Sequence, residues 1–140
     1  MYILKDLHSS LKIDANESSA SLEDIAALKE FSSITVPTDY LNVIREMTEV
    51  EILINGDRYF RIWSPAGCIE MNEEYQVQSY IPESLAIGDD EGGGALILMT
   101  GKQGFGIYKV GFGDLCVEDA EFVSETLEGL LTKGLGIDVI

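Results

Sequence analysis

The segment Tyr80-Ile-Pro-Glu-Ser-Leu-Ala-Ile-Gly-Asp-Asp-Glu-Gly-Gly-Gly-Ala-Leu-Ile-Leu98 decides how the rest of the chain is read. It holds an apolar run ending at Ile87, an acidic, glycine-rich loop from Gly88 to Gly94, and a second apolar run from Ala95 to Leu98. Short apolar runs bounded by glycine and proline predict buried strands. Glycine tolerates positive φ and brings no side chain, so the triple glycine permits either a sharp turn or the close approach of a partner. A turn joining two core strands is the plainer reading.

Upstream, Val50-Glu-Ile-Leu-Ile54 and Arg58-Tyr-Phe-Arg-Ile-Trp63 flank Asn55-Gly56. Asn-Gly between β-rich runs predicts a hairpin with a two-residue type I′ turn. Arg58 and Arg61 are expected to pair with nearby carboxylates. Ser21-x-x-Asp24 resembles a capping box opening a helix to Phe31, with Leu22, Ile25, Ala26 and Leu28 as its apolar stripe. Pro37 suits the first position of a second helix, Asp39 complements its dipole, and Tyr40, Leu41, Val43, Ile44 and Met47 form its buried face to about Thr48. The first twenty residues stay poorly assigned: Tyr2, Ile3, Leu4, Leu7, Leu11 and Ile13 are unevenly spaced, and Asp14 to Ser21 reads as a loop.

Ser64-Pro-Ala-Gly67 breaks the hairpin's second strand, Cys68 to Met71 reads as a short strand, and Asn72 to Tyr75 as a turn. Val77 to Ile81 leads to Pro82. After the glycine loop come a strand at Ala95–Met99, a turn at Thr100–Gly104 and a strand at Phe105–Val110. A last helix is expected from Val117 to Thr132, closed by Lys133 and Gly134, with Ala120, Val123, Leu127, Leu130 and Leu131 on its core face. Glu118, Glu121, Glu125 and Glu128 would line another face, either solvated or docking a basic partner. No repeat, low-complexity segment or linker interrupts the chain. Residues 1–140 are therefore expected to form one domain of α+β class.

Charge narrows the functional classes. Twenty-five acidic residues against 9 basic ones give a formal net charge of −16. Such a surface repels nucleic-acid phosphates and anionic lipids, so no nucleic-acid and no membrane partner is expected, while a basic protein would be drawn to it. Plain solubility is the alternative use of the same charge. From Ile62 to Gly101 there is no Lys or Arg but there are seven carboxylates: Glu70, Glu73, Glu74, Glu83, Asp89, Asp90 and Glu91. A negative face follows if folding brings no distant cation onto it. Asp89, Asp90, Glu91, Glu73 and Glu74 are the candidate partner-binding residues. The N-terminus shows no secretory pattern and no run approaches the roughly 20 apolar residues of a membrane helix. A cytoplasmic location is expected, with Cys68 and Cys116 reduced; a disulfide between them stays open on sequence alone.

Reactive chemistry finds little to build on. The Gly88 loop lacks the Gly-Lys-Ser/Thr ending of a phosphate loop, and its carboxylates would repel phosphate. Asp89, Asp90 and Glu91 are hard oxygen ligands, but they are consecutive on one short turn and lack the alternating spacing of a calcium loop. His8 is the only histidine, which leaves nucleophilic catalysis without a base. Carboxylates are numerous, yet nothing selects a pair for glycoside chemistry. No metal, no cofactor and no enzymatic activity are expected.

From Pro37 onward the order of features resembles the SUKH superfamily, the Smi/Knr-like domain. The resemblance rests on Ile34-x-x-Pro37-x-x-Tyr40-Leu41, Arg61-Ile-Trp-Ser-Pro65 and Asn72-Glu73-x-Tyr75. It continues through Ile81-Pro-Glu-Ser-Leu-Ala-Ile-Gly-Asp-Asp90, the glycine run with Ala95-Leu96, Gly106-Ile-Tyr108 and Phe112-Gly-Asp-Leu115. It spans about three-quarters of the chain; Glu91 departs from it by standing where the glycines would begin. The resemblance implies a mixed, mostly antiparallel sheet with helices packed at the N-terminal and C-terminal ends. It also implies a non-enzymatic bacterial immunity protein that binds and neutralises a cognate toxin, often a nuclease, or else a scaffold or regulatory module of the Smi/Knr type. It carries no catalytic residues.

Overall fold

The computed structural model describes residues 3–140; Tyr2, read above with the apolar N-terminal residues, lies outside them. Alternation builds the sheet. In β2 (Thr48–Ile54) Thr48, Val50, Ile52 and Ile54 are buried, whereas Glu49, Glu51 and Leu53 are half-exposed, the pattern of a strand covered more fully on one face. The chain returns as β3 (Arg58–Ile62). Asn55 and Gly56 have φ of 51° and 76°, and the Asp57 N–H donates to the Ile54 carbonyl at 3.1 Å, as a type I′ turn requires. The register pairs Ile54 with Arg58, so Asp57 extends the expected two-residue loop by one.

Outside β2 lies β1 (Leu11–Glu17), and beyond β3 follow β4 (Leu85–Asp89), β5 (Gly94–Gly101), β6 (Gly104–Gly111) and β7 (Glu121–Ser124). The seven strands stand in sequence order and each pairing is antiparallel. The fold class is α+β, with the sheet antiparallel throughout the described residues. The Gly88 loop is the turn between β4 and β5, and both strands are buried core from Leu85 to Gly88 and from Gly94 to Met99.

A 3-10 turn at Ile3–Asp6 precedes β1. Helix α1 (Leu22–Phe31) opens on Ser21, whose Oγ accepts from the Asp24 N–H at 3.1 Å. Of its expected stripe only Ile25 and Leu28 are buried; Leu22 is 83% exposed. Helix α2 (Thr38–Glu46) takes Pro37 as N-cap rather than as first helical residue. It stops at Glu46, because Thr48 is already paired with Glu17 across β2 and β1. Its Tyr40, Leu41, Val43 and Ile44 are buried, and the Tyr40 hydroxyl donates to the Trp63 carbonyl at 2.8 Å.

Three sequence expectations are overturned. Asp14 to Glu17 belong to β1 and not to a loop; as an exposed edge strand with two bulges, β1 needs no apolar alternation there. Cys68 to Glu74 are neither strand nor turn, and of the expected turn only Tyr75 is one: Ser64 caps and Pro65 starts helix α3 (Pro65–Glu74), with Ser64 Oγ accepting from the Gly67 N–H at 3.0 Å. The short helix α4 (Val77–Tyr80) follows. Lastly, no helix runs from Val117 to Thr132. Val117–Asp119 is a 3-10 turn, Glu121–Ser124 forms β7, and only α5 (Leu127–Lys133) is helical, capped by Thr126 and ended by Gly134 at φ 68°. Glu118, Glu121, Glu125 and Glu128 therefore share no helical face. Pairing with β6 won over helical spacing, with Phe122 opposite Tyr108 and their rings edge-on at 5.4 Å.

Two residue pairs alone join β3 to β4, Arg61 with Asp89 and Ile62 with Gly88. A Cβ on Gly88 would overlap the Arg61 carbonyl oxygen, so the close approach that glycine permits is made here to the neighbouring strand. Past this point β3 leaves, and the buried Asn72 of α3 replaces it. Its Oδ1 accepts from the Ala86 N–H at 3.0 Å and its Nδ2 donates to the Ala86 carbonyl at 2.8 Å. One side-chain amide thus satisfies both backbone groups that a strand would have paired, as a buried backbone demands.

Candidate functional site

Register places Glu51, Arg61 and Asp89 side by side across β2, β3 and β4, on the strand face opposite the buried Val50 and Ile62. Arg61 Nη2 lies 2.9 Å from Glu51 Oε2 and 4.0 Å from Glu91 Oε2. The Trp63 indole N–H donates to Asp89 Oδ2 at 2.7 Å. Glu49, held at a positive φ of 46°, turns its carboxylate onto the start of α3 and accepts from the Ser64 N–H at 2.6 Å. An anion there is stabilised by the helix dipole.

Arg61, Asp89, Trp63 and Glu49 line an open cleft of about 430 Å³, together with Glu17 and Glu70. Four carboxylates thus face a single guanidinium. Two neighbouring carboxyls are held in different protonation ranges. The hydrogen bond from Arg61 holds Glu51 below the usual glutamate value, aided by a bond with Glu91. Burial pushes Glu91 up, and its hydrogen bond with Glu51 and that group's charge add to the shift. Glu51 loses its proton first, and the pair presents its full negative charge only once Glu91 follows.

The candidate residues of the glycine loop divide between two tasks. Asp89 borders the cleft, and Glu91 lies beside it against Arg61. Asp90 turns inward, with its side chain 14% exposed. Its Oδ1 accepts from the N–H groups of Gly92 and Gly94 at 2.8 and 2.7 Å, and its Oδ2 lies 3.3 Å from Lys109 Nζ. A Cβ on Gly94 would sit 2.6 Å from Asp90 Oδ2, so this glycine is required by the carboxylate that folds the loop. Burial alone would raise the Asp90 pKa, but the Gly94 and Gly92 hydrogen bonds and Lys109 outweigh it and leave the group lowered.

Glu73 and Glu74 stand elsewhere. They occupy the C-terminal turn of α3, about one turn beyond Glu70, the last acidic wall of the cleft. Glu74 borders a second groove, lined by Tyr75, Tyr80 and Phe112. The five candidates therefore form no single patch: Asp89 and Glu91 stand at the cleft, Asp90 folds the loop, and Glu74 borders the second groove. Sequence reasoning missed Glu17, Glu49, Glu70 and Trp63 as members of the cleft, and Glu51 beside it against Arg61. The alternation of Glu49 and Glu51 with Val50 and Ile52 was the available signal, since it puts both glutamates on the strand's less buried face.

Elsewhere the reactive side chains are engaged. His8 accepts from the Ser10 N–H through Nδ1 at 3.2 Å and packs against Gly134. Both cysteines are free. Burial pushes the Cys68 thiol up to about 12, while the partly exposed Cys116 donates to Glu118 Oε2 at 2.9 Å. Among the described residues no three His, Cys, Asp or Glu side chains are gathered closely enough to hold a metal ion, and no helix is long and apolar enough to cross a membrane. No protein-family model matches the chain, and no curated protein matches it.

Proposed function

We propose that the chain is a non-enzymatic protein-binding domain that engages a basic protein through the Glu51–Arg61–Asp89 cleft, and that the partner is a toxin it neutralises in the cytoplasm, as a SUKH-type immunity protein would. The observation that supports this most is the concentration of carboxylates around one guanidinium on a rigid strand face. Glu51 and Asp89 are fixed by register, and Glu49 by its bond to Ser64. Preordered charge of one sign accelerates encounter with a cationic surface and loses little side-chain freedom on docking. A nuclease offers such a surface, because its substrate cleft binds phosphates. The resemblance of Ile81 to Asp90 and the following glycine run to the SUKH pattern supports the same reading.

Co-expression with a toxin domain, should a neighbouring gene encode one, tests it. Cells making the protein are expected to survive the toxin, and continued killing would refute neutralisation and leave the scaffold reading in its place. The charge mechanism is tested by the triple variant Glu51→Gln, Asp89→Asn, Glu91→Gln. It should slow association and flatten its salt dependence. Asp90 is left unchanged, since it folds the loop.

A further inference from the structure

The groove beside Glu74 is unpartnered and adjoins the acidic cleft. Trp63 lines the cleft, Phe112 lines the groove, and their rings stack at 6.2 Å and 22°. Phe112 in turn meets Tyr75 at 4.3 Å. Trp63, Phe112 and Tyr75 thus form one aromatic ridge with a carboxylate-lined hollow on either side. Tyr75 is 38% and Tyr80 60% exposed.

The electrostatics of the groove are unfavourable as they stand. Glu73 and Glu74 occupy the last turn of α3, where the helix dipole already presents negative charge. No basic residue lies in that turn, and neither glutamate forms an ion pair among the described residues. Asp114 faces the same hollow, whose lining holds no Lys or Arg. A cation entering here would meet two carboxylates, the negative end of a helix and exposed aromatic faces together.

We infer that this groove is a second contact for the basic protein, and that it takes an arginine side chain projecting from that protein's surface. The inference rests on the proposed function for the identity of the partner, but not for the chemistry of the site. Arginine fits better than lysine because its planar guanidinium stacks on Tyr75 or Phe112 while its N–H groups reach Glu74 and Asp114. An interface whose aromatic centre is flanked by charged rims has the usual anatomy of a specific protein contact.

The test uses the full chain, labelled with nitrogen-15, and the probe N-acetyl-Gly-Arg-Gly-amide followed by amide chemical shifts. Saturable shifts are expected at Gln76, Gly113, Asp114 and Leu115. The same peptide with citrulline, equal in shape but uncharged, should leave them in place, and the lysine peptide should bind more weakly than the arginine one. Tyr75→Leu, which keeps apolar volume and removes the ring, should weaken binding about two- to fivefold, with the unperturbed spectrum elsewhere reporting an intact fold. Shifts confined to the Glu51–Arg61–Asp89 cleft would overturn the inference and leave the proposed function standing. Equal shifts from citrulline, or no saturable shift at all, would also overturn it. If the arginine peptide seats in the groove while the toxin still kills, the site is real and the neutralising function is not.

Discussion

Replacing Asn72 with leucine removes the amide that stands in for a strand at Ala86, and its consequence can be worked from the bonds. Leucine shares asparagine's branched outline but puts larger methyl groups where atoms are held at 2.7–3.0 Å, so crowding adds to the loss of polarity. The Ala86 N–H loses its partner, Asn72 Oδ1. The Ala86 carbonyl keeps only the Cys68 thiol at 3.1 Å, a weak donor. Gln78 Nε2 still donates to the Ser84 carbonyl at 3.0 Å and suffers less. A buried unsatisfied N–H costs about 1–3 kcal/mol and a weakened carbonyl about 1 kcal/mol more, so a loss of about 2–4 kcal/mol is expected. That is a large part of the roughly 5–15 kcal/mol that holds a domain folded.

Trp63, the only tryptophan and 3% exposed, reports unfolding by fluorescence. With an m-value of about 1.5 kcal/mol/M, the urea midpoint should fall by roughly 1.3–2.7 M. A fall below about 0.5 M at unchanged m would refute the view that Asn72 completes the sheet. Asn72→Asp offers a check on sign. It keeps the acceptor but buries a carboxylate, whose pKa must rise on folding. Its destabilisation should be greatest at neutral pH and relieved as pH falls through that raised value.

Other expectations follow from the same geometry. Asp90→Asn should lower stability by about 1–2 kcal/mol at pH 7. Because Asp90 is depressed below the ordinary aspartate value of 3.8, its contribution is complete above that value and lost as pH falls through the lower folded one. Urea midpoints of wild type and variant should therefore converge in acid, and a constant gap would refute the charge argument. Gly88→Ala should destabilise by about 1–3 kcal/mol through collision with the Arg61 carbonyl, and a variant as stable as wild type by thermal melting would contradict the close strand approach. A thiol reagent at pH 8 should modify Cys116 alone in the native protein and both cysteines in denaturant, since Cys68 is buried with its pKa near 12; two fast-reacting native thiols would exclude that burial.

The parts legible in the sequence were those governed by short-range chemistry. Asn55-Gly56 set its turn through two positive φ angles, Ser21 capped its helix through one side-chain bond, and Gly134 ended α5 in the left-handed region. Ser64-Pro65 carried an equally local signal for α3, but the same pair can also end a strand, and Gly67 is a poor helix former. The segment Val117 to Ser124 gave no local warning. Its glutamate spacing suited a helix, and only β6, brought alongside by folding, made Glu121–Ser124 a strand. The site divided in the same way. Carboxylate density located Asp89 and Glu91, whereas the approach of Glu49 and Glu51 depended on two successive registers, β2 with β3 and β3 with β4, that no local pattern announces.

The two-pair junction between β3 and β4 has a mechanical consequence. It divides the sheet into two plates, β1 to β3 and β4 to β7, sewn together by a short seam and an asparagine. The acidic cleft straddles that seam, with Glu51 and Arg61 on one plate and Asp89 and Glu91 on the other. A partner gripping both sides would act as a clasp across that short seam. Binding would then be felt as slowed exchange of the Trp63 and Ala86 amides, backbone groups that a partner resting on the side chains need never touch.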